Sequence, residues 1–287
     1  MIESASSAES VELTVGPYRY SALASGPADG EVVLLLHGFP ETSYEWRAQL
    51  DALGASGYRA VAPDQRGYAA GARPSAVEDY AVDRLVDDVF GFADELGAER
   101  FHLVGHDWGG FVAWYAAARD GSSDRGRLRT LTVVSTPHPV PFRGAMHSGG
   151  DQRERSSYMD WFRSADAEAG WLADDGALLT AAYAEHPPEA REEYRRVFTA
   201  DGGAALTGGL NWYRANTFQP TEGPITVPTL YVWSTDDVAL GREAAEGTAA
   251  EVSGPYRFEV LEGVSHWIPE VAPDALNGLL LEHLATV

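Results

Sequence analysis

Short β-like runs alternate with amphipathic helical stretches through the first half of the chain, and this alternation constrains the fold most. The run at residues 31–36 is continuously apolar after its first residue, which is typical of a strand buried on both faces of a parallel sheet. Predicted strands cover residues 11–15, 18–24, 31–36, 58–63, 101–105 and 131–135, and predicted helices cover residues 44–55, 80–96 and 108–118. Repeated strand–helix–strand units predict an α/β fold with a mostly parallel, doubly wound sheet.

The alternation stops at residue 139 and resumes after Pro228. Residues 139–222 contain helical pieces, charge clusters, proline and glycine, but no convincing strand. The later predicted elements are strands at 229–234 and 256–262 and helices near 241–252 and at 273–285. The simplest interpretation is a core domain of residues 1–138 and 223–287, with a helical cap of residues 139–222 inserted after the sixth strand.

Composition excludes several kinds of chemistry. The 287 residues include 43 Asp and Glu but only 21 cationic residues, all of them Arg, which gives a net charge of −22. Without Lys there is no Schiff-base or P-loop lysine, and without Cys there is no thiol nucleophile, disulfide or thiolate metal site. An acidic chain of this kind also disfavours nucleic acid and anionic membrane surfaces as partners.

Hydropathy and the N-terminal residues also predict the location and the partners of the protein. The longest pure apolar run is Val32–Leu36, far below the roughly 20 residues of a membrane span, and the N-terminal residues are polar and acidic. We therefore expect a cytoplasmic protein that binds a small molecule, with no membrane partner, no cofactor and no metal. The oligomeric state is not readable from the sequence, and a homodimer is one option.

A sharp turn at Asp107 carries the strongest functional signal. It follows strand 101–105 and precedes helix 108–118, with Gly105, Gly109 and Gly110 around one acidic residue. Small flanking residues permit the strained strand-to-helix turn called a nucleophile elbow, whose apical residue is usually Ser. An Asp with an ordinary pKa of about 3.9 is already ionised at neutral pH. It can attack a strained or activated carbon to form an alkyl ester, although an Asp here can also be a plain helix N-cap.

Hydrolysis of such an ester needs a base and an oxyanion site. His266 follows the last predicted strand and precedes the last helix, where the hydrolase chain order places its histidine. Either Asp236 or Asp237 can orient its imidazole. The loop after strand 31–36 contains His37-Gly38-Phe39-Pro40, so the N–H groups of Phe39 and Trp108 are the candidate oxyanion donors. His37, Pro40 and Trp108 are expected to line the pocket.

Together these residues resemble the epoxide hydrolase group of the α/β-hydrolase superfamily, which is related to the haloalkane dehalogenases. The resemblance rests on the motifs at 37–40, 64–68 (Asp-Gln-Arg-Gly-Tyr), 105–110 and 263–267 together with Asp237, and it covers nearly the whole chain from about residue 11. It favours Asp237, four residues after Trp233, as the triad acid. The chain departs from the group after the Asp-Gln-Arg-Gly motif, where it has Tyr68-Ala69-Ala70-Gly71.

The resemblance also implies two cap tyrosines that bind the epoxide oxygen and protonate the leaving alkoxide. Tyr213, within Leu-Asn-Trp-Tyr-Arg, resembles the second tyrosine motif closely, and Tyr158 resembles the first more loosely, with Tyr183 and Tyr194 as competitors. The predicted reaction is hydrolysis of a small apolar epoxide to a vicinal diol through an Asp107 ester.

Four alternatives to epoxide hydrolysis stay open. A haloalkane dehalogenase would use the same Asp–His–Asp set, with Trp108 and one of Trp161, Trp171 or Trp212 holding the halide. A fluoroacetate-type dehalogenase would need arginines near the elbow, where the chain has Trp108 and Phe111. A non-catalytic ligand-binding protein would not need the complete set of Asp107, His266 and Asp237. Intramolecular opening of an epoxide in biosynthesis fits the same residues.

Overall fold

A computed structural model describes residues 8–123 and 126–287 of the chain. Its strands are β1 (Glu9–Val15), β2 (Tyr18–Ser25), β3 (Val32–Leu36), β4 (Arg59–Pro63), β5 (Phe101–His106), β6 (Leu128–Val134), β7 (Thr229–Asp236) and β8 (Tyr256–Ser265). Its α-helices are α1 (Arg47–Ala55), α2 (Val82–Glu95), α3 (Trp108–Gly121), α4 (Pro139–Ala145), α5 (Gln152–Arg155), α6 (Tyr158–Phe162), α7 (Ala167–Ala182), α8 (Pro188–Thr199), α9 (Ala204–Ala215), α10 (Arg242–Gly247), α11 (Ile268–Val271) and α12 (Pro273–Leu284). Four short 3-10 helices cover Ser43–Trp46, Val77–Tyr80, Ala200–Gly202 and Thr248–Glu251.

The eight strands form one sheet in the order β1-β2-β4-β3-β5-β6-β7-β8. Strand β2 pairs antiparallel with both β1 and β4, and the remaining pairs are parallel. The hairpin at the sheet edge and the six predicted core strands are therefore confirmed. Because the parallel strands share one direction, their carboxyl ends meet at one edge, and the polar loops after β3, β5, β7 and β8 come together there.

Alternating side chains of β3 show how helices cover both faces of the sheet. Val33 and Leu35 belong to a core cluster that includes residues of α1 and α12, whereas Leu34 and Leu36 belong to a cluster that includes α2 and α3. All four side chains are fully buried. This two-sided burial explains why the run is continuously apolar, and it makes the sheet doubly wound, as predicted.

Helices α4 to α9 lie between β6 and β7, and the described residues of this region contain no named strand. Helix α4 packs against α10, and α9 packs against the 3-10 helix Val77–Tyr80. Trp212 Nε1 on α9 donates a hydrogen bond to the Arg66 carbonyl oxygen at 2.8 Å. Gly208 and Gly67 bring the two backbones so close that a Cβ at Gly208 would lie 2.2 Å from the Gly67 oxygen. Helix α9 is thus fixed to the loop after β4, while the division into core and cap stays a prediction.

Candidate active site

Asp107 lies in the turn between β5 and α3, at the carboxyl edge of the sheet. Its backbone has φ 48° and ψ −118°, a conformation that costs energy for a residue with a Cβ. A Cβ at Gly109 would lie 2.0 Å from the Leu36 carbonyl oxygen, and one at Gly105 would lie 2.3 Å from the Gly109 oxygen. The glycines of the motif therefore allow the helix to start directly against the strands, which holds Asp107 at the apex.

Two neighbouring loops hold Asp107 in place. The Phe39 N–H donates to Asp107 Oδ1 at 2.9 Å, and the Thr136 hydroxyl donates to the Asp107 carbonyl oxygen at 2.7 Å. The approach of the loop after β3 depends on Gly38, because a Cβ there would lie 2.4 Å from Asp107 Cβ. The Phe39 N–H thus faces the carboxylate, and its role as an oxyanion donor stays a prediction. The Trp108 N–H starts α3 beside Asp107, and its role as the second donor stays a prediction.

His266 lies between two carboxylates. Its Nδ1 is 2.8 Å from Asp237 Oδ2, and its Nε2 is 3.4 Å from Asp107 Oδ2. The other oxygen of Asp237 accepts the N–H groups of Ala239 and Leu240 at 2.8 and 2.9 Å, which fixes the carboxylate. The structure brings Asp237 to the imidazole and leaves Asp236 exposed.

Burial and charge shift the pKa values of His266 and Asp107 in directions that favour opposite charges on the two side chains. Burial disfavours the imidazolium, but the charges and hydrogen bonds of Asp237 and Asp107 outweigh it and raise the pKa of His266 well above its ordinary value. Burial likewise disfavours the Asp107 carboxylate, but the hydrogen bond and charge of His266 outweigh it and lower the pKa of Asp107. Both shifts favour an ion pair between the Asp107 carboxylate and the His266 imidazolium.

Two apolar cavities adjoin the Asp107 carboxylate. The smaller cavity, of about 30 Å³, is lined by Asp107, Trp108, Phe111, Thr136, Pro137, Pro139, Phe142, Tyr158, Met159, Tyr213, Phe218 and Leu240. The larger cavity, of about 170 Å³, is lined by Phe39, Pro40, Asp107, Tyr158, Phe162, Trp171, Ala182, Tyr213, Val238, Ala239, His266 and Trp267. The carboxylate and two tyrosines are common to both, so a molecule bound at Asp107 has apolar space on two sides.

Tyr158 and Tyr213 are the two tyrosines shared by both cavities, and their ring centroids are 6.4 Å apart. Burial raises the pKa of each phenol, and the nearby Asp107 charge raises it further, so both are neutral proton donors. The competitors line neither cavity. Tyr183 donates to the Pro40 carbonyl oxygen, and Tyr194 donates to Glu270 Oε1 at 2.5 Å.

The three expected pocket residues differ in placement. Pro40 lines the larger cavity and Trp108 the smaller one. His37 lines neither, because its fully buried ring is bonded behind the loop. The Gln65 N–H donates to His37 Nε2 at 3.1 Å, and Nδ1 lies 2.9 Å from the Gly38 carbonyl oxygen. Burial lowers the pKa of His37, and the hydrogen bonds of its ring fix the loop rather than placing the ring in either cavity.

The three cap tryptophans named as alternative halide donors differ in their contacts. The Trp212 indole N–H is bound to Arg66, as described above. Trp161 lines neither cavity and stacks on Trp171 with centroids 5.9 Å apart. Trp171 lines the larger cavity, and its buried Nε1 has no hydrogen-bond partner in the described part of the chain.

His106, Glu41 and Glu45 form a buried group beneath the elbow, and their sequence pattern predicts no function. His106 Nε2 is 3.0 Å from the His266 carbonyl oxygen, and its Nδ1 is 3.2 Å from Glu41 and 3.4 Å from Glu45. Burial and the Glu41 charge raise the pKa of Glu45 well above its ordinary value. Ligand atoms of Glu41, Glu45 and His106 lie within 4.8 Å of one another. The raised pKa favours a protonated Glu45 that shares hydrogen bonds within this group, and His106 connects the group to the loop that carries His266.

Known proteins share this architecture. The family model described as alpha/beta hydrolase fold matches residues 31–273. The AB hydrolase superfamily protein YfhM of Bacillus subtilis is 35% identical over 278 residues, covering 91% of this chain and 92% of that protein. Epoxide hydrolase A of Mycobacterium tuberculosis is 34% identical over 309 aligned positions, covering 93% of this chain and 94% of its own length. The chain belongs to the epoxide hydrolase group of the α/β hydrolases.

The fold agrees with this membership. A solved epoxide hydrolase of the α/β-hydrolase superfamily, from metagenomes of hot environments, has a TM-score of 0.85 and 32% identity, covering 97% of this chain and 99% of its own. The predicted family, fold class and hydrolase class are confirmed. No helix in residues 8–123 or 126–287 is both long and apolar enough to cross a membrane.

Proposed function

We propose that this member of the epoxide hydrolase group opens a small apolar epoxide to a vicinal diol through an ester on Asp107. One observation carries the proposal: the ionised Asp107 carboxylate shares both apolar cavities with the phenols of Tyr158 and Tyr213. A nucleophile and two neutral acids around one apolar space match an epoxide, which needs attack at carbon and protonation at oxygen. The test is diol formation from styrene oxide. We expect the purified protein to form the diol and Asp107→Asn to form none.

In the first half-reaction, Tyr158 and Tyr213 hydrogen-bond the epoxide oxygen. Asp107 attacks one ring carbon from the opposite side, so a carbon–oxygen ester bond forms and the ring carbon–oxygen bond breaks. The leaving alkoxide takes a proton from one phenol, which is favourable because an alkoxide is far more basic than a phenolate with a pKa near about 10 in water.

In the second half-reaction, the ester no longer carries the Asp107 charge. That charge is one cause of the raised pKa of His266, so esterification lowers this pKa. The imidazolium then gives its proton to the tyrosinate through solvent, which restores the phenol and leaves a neutral imidazole as the base. His266, oriented by Asp237, accepts a proton from water, which attacks the Asp107 carbonyl carbon. The N–H groups of Phe39 and Trp108 stabilise the oxyanion. Its collapse breaks the ester carbon–oxygen bond, and the departing diol oxygen takes the proton held by His266. The Asp107 carboxyl group then gives its proton to His266, which restores the carboxylate.

A second candidate activity is haloalkane dehalogenation, favoured by the unpartnered Trp171 indole N–H in the larger cavity. The same Asp107, His266 and Asp237 would act, and a halide would replace the alkoxide as leaving group. Chloride release from a haloalkane, without diol formation from styrene oxide, would favour this reaction. Absence of both products over a broad substrate panel would favour a non-catalytic binding protein.

The proposal also includes predictions about domain organisation, location and partners. The two acids Tyr158 and Tyr213 would belong to the helical cap of residues 139–222. A cytoplasmic location, the absence of nucleic-acid partners, of a cofactor and of a metal, and the homodimer option stay predictions. An epoxide panel with terminal, internal and trans-disubstituted members, scored for regiochemistry, would define the substrate.

A further inference from the structure

Ser135 and Thr136, the two residues that follow β6, contact the backbones of both Asp107 and His266. The Ser135 hydroxyl donates to the His266 carbonyl oxygen at 2.9 Å, and the Thr136 hydroxyl donates to the Asp107 carbonyl oxygen at 2.7 Å. Asp107 follows β5, whereas His266 follows β8. We call Ser135 and Thr136 the hydroxyl bridge, because these two adjacent residues connect the loop of the nucleophile to the loop of the base.

The hydroxyl bridge is itself held by the sheet and by α3. The Ser135 N–H donates to the Val232 carbonyl oxygen at 2.8 Å, and the Tyr231 hydroxyl on β7 donates to the Ser135 carbonyl oxygen at 2.9 Å. The Trp114 indole N–H on α3 donates to the Thr136 carbonyl oxygen at 3.0 Å. Tyr231 and Trp114 are fully buried. The bridge is therefore a fixed point from which two hydroxyl groups reach two loops.

Ser135 adopts a backbone conformation that favours glycine. Its φ is 66°, in the left-handed region, where a residue with a Cβ costs energy. Glycine would remove this cost, but it would also remove the hydroxyl that binds His266. Strained backbone of this kind is concentrated at functional sites. The bond from its hydroxyl to the catalytic loop gives a reason for a serine at this position.

Both carbonyl groups that the bridge contacts have another hydrogen-bond partner. The Asp107 carbonyl oxygen also accepts the Phe111 N–H at 3.0 Å, and the His266 carbonyl oxygen also lies 3.0 Å from His106 Nε2. Removal of a bridge hydroxyl therefore leaves neither carbonyl without a partner, and the penalty for an unsatisfied buried group does not arise. The contribution of the two hydroxyl groups lies in where they hold the loops.

We propose that Ser135 and Thr136 are positioning residues that hold Asp107 and His266 at the separation required for hydrolysis of the ester. The inference rests on the proposed epoxide hydrolysis, whose first half-reaction uses Asp107 and two phenols without His266. The second half-reaction needs a water molecule between His266 Nε2 and the Asp107 carbonyl carbon. In the structure, this nitrogen lies 3.4 Å from Asp107 Oδ2. The bridge should therefore act mainly on the second half-reaction.

The test measures ester formation and ester decay separately, with enzyme in excess over styrene oxide and rapid quenching for mass spectrometry. Ser135→Ala/Thr136→Val removes both hydroxyl groups and keeps a Cβ at residue 135, so the backbone cost is unchanged. A displacement of about 1 Å can lower a rate roughly 10²-fold, and since each carbonyl keeps its second partner we expect ester decay to slow about tenfold and ester formation to stay within about twofold. Where decay limits turnover, kcat and KM fall together and kcat/KM stays constant.

Other variants provide rescue and a matched control. Thr136→Ser keeps the hydroxyl and should have the wild-type rate of ester decay. Thr132 on β6 is fully buried, and its hydroxyl has no hydrogen-bond partner among residues 8–123 and 126–287. Thr132→Val removes this hydroxyl without changing the bridge, so both rates should stay unchanged. If the double variant does not fold, Ser135→Ala and Thr136→Val alone should each slow ester decay about threefold.

The outcomes separate this inference from the proposed function. If the wild-type protein forms no diol, epoxide hydrolysis itself is contradicted. If the wild-type protein forms diol and ester decay is unchanged in Ser135→Ala/Thr136→Val, the bridge is contradicted while the activity stands. Equal losses in ester formation and ester decay, or an equal loss in Thr132→Val or Thr136→Ser, would show a packing effect and would also overturn the positioning role.

Discussion

His266 Nε2 lies 3.4 Å from Asp107 Oδ2, a contact of opposite charges that is longer than a good hydrogen bond. The tighter contact of the imidazole is with Asp237, at 2.8 Å. In the proposed mechanism, esterification of Asp107 would remove the looser contact and its charge, whereas the Asp237 contact would persist. The base would keep the same orientation while its pKa falls, and this would couple the two half-reactions.

Replacement of His266 by Gln should stop the second half-reaction. Attack by Asp107 does not need the base, but water activation does, and general-base assistance is typically worth about 10²–10⁴-fold in rate. We expect His266→Gln to accumulate the ester, visible by intact-protein mass spectrometry as an adduct of one substrate. The double variant with Asp107→Asn is the control and should show no adduct. A His266→Gln protein that turns over without an adduct would contradict the mechanism.

Replacement of Asp237 by Asn should lower the pKa of His266. The Asp237 charge favours the imidazolium, so its removal makes the proton easier to lose, and the neutral imidazole appears at lower pH. NMR titration of the His266 ring measures this directly, and kcat should also fall because the imidazole loses its orientation. The adjacent, exposed Asp236 offers a matched control, and Asp236→Asn should change neither quantity. An unchanged His266 pKa in Asp237→Asn would exclude the assigned pairing.

Removal of the tyrosine hydroxyls should slow the first half-reaction. Tyr213→Phe and Tyr158→Phe each leave one donor to the epoxide oxygen, and each should lower the rate of ester formation by about 10²-fold, with a larger loss in the double variant. Stopped-flow fluorescence of Trp108, beside Asp107, can follow this step. Tyr183→Phe is the control, because its hydroxyl binds Pro40 and lines neither cavity. Equal losses in all three single variants would indicate a packing effect.

Alanine at Gly109 should destabilise the fold, whereas alanine at Gly144 should not. The new Cβ at Gly109 would lie 2.0 Å from the Leu36 oxygen, so α3 or β3 must shift, at a cost of about 2 kcal/mol or more. A Cβ at Gly144, in helix α4, meets no atom within 4 Å, and Gly to Ala in a helix stabilises by roughly 0.5–1 kcal/mol. Urea unfolding of both variants measures the difference, and equal midpoints would show that the elbow tolerates a side chain.

Local patterns predicted much of the sheet and the elbow. The apolar run of β3 and the glycines around Asp107 are readable because each is a short pattern of neighbouring residues that is typical of one local structure, a buried strand or a strand-to-helix turn. The choice between Asp236 and Asp237 is different, because successive residues after a strand point in opposite directions and only the position of His266 decides between them. Likewise, His37 belongs to a motif next to the site, and only the bonds to Gln65 and Gly38 show that its ring faces away.

Contacts between distant segments were harder to predict. His106 lies far in sequence from Glu41 and Glu45, and the pairing of β3 with β5 brings the two segments together beneath the elbow. The sequence indicates this buried group only through three titratable residues that lie next to apolar strands. Helix α7 is interrupted by non-helical backbone at residues 173–176, so its sequence has no single helical period that would have placed Trp171 in the cavity.

The central claim is that Asp107 forms a covalent ester with the substrate, and a single turnover in ¹⁸O-labelled water tests it most directly. With enzyme in excess over an epoxide, water attacks the Asp107 carbonyl carbon, so the label should enter the Asp107 carboxylate while the diol keeps an unlabelled oxygen from the enzyme. Mass spectrometry of the diol and of the peptide that contains Asp107 reads both positions. A diol that carries the label after one turnover, with unlabelled Asp107, would contradict the account.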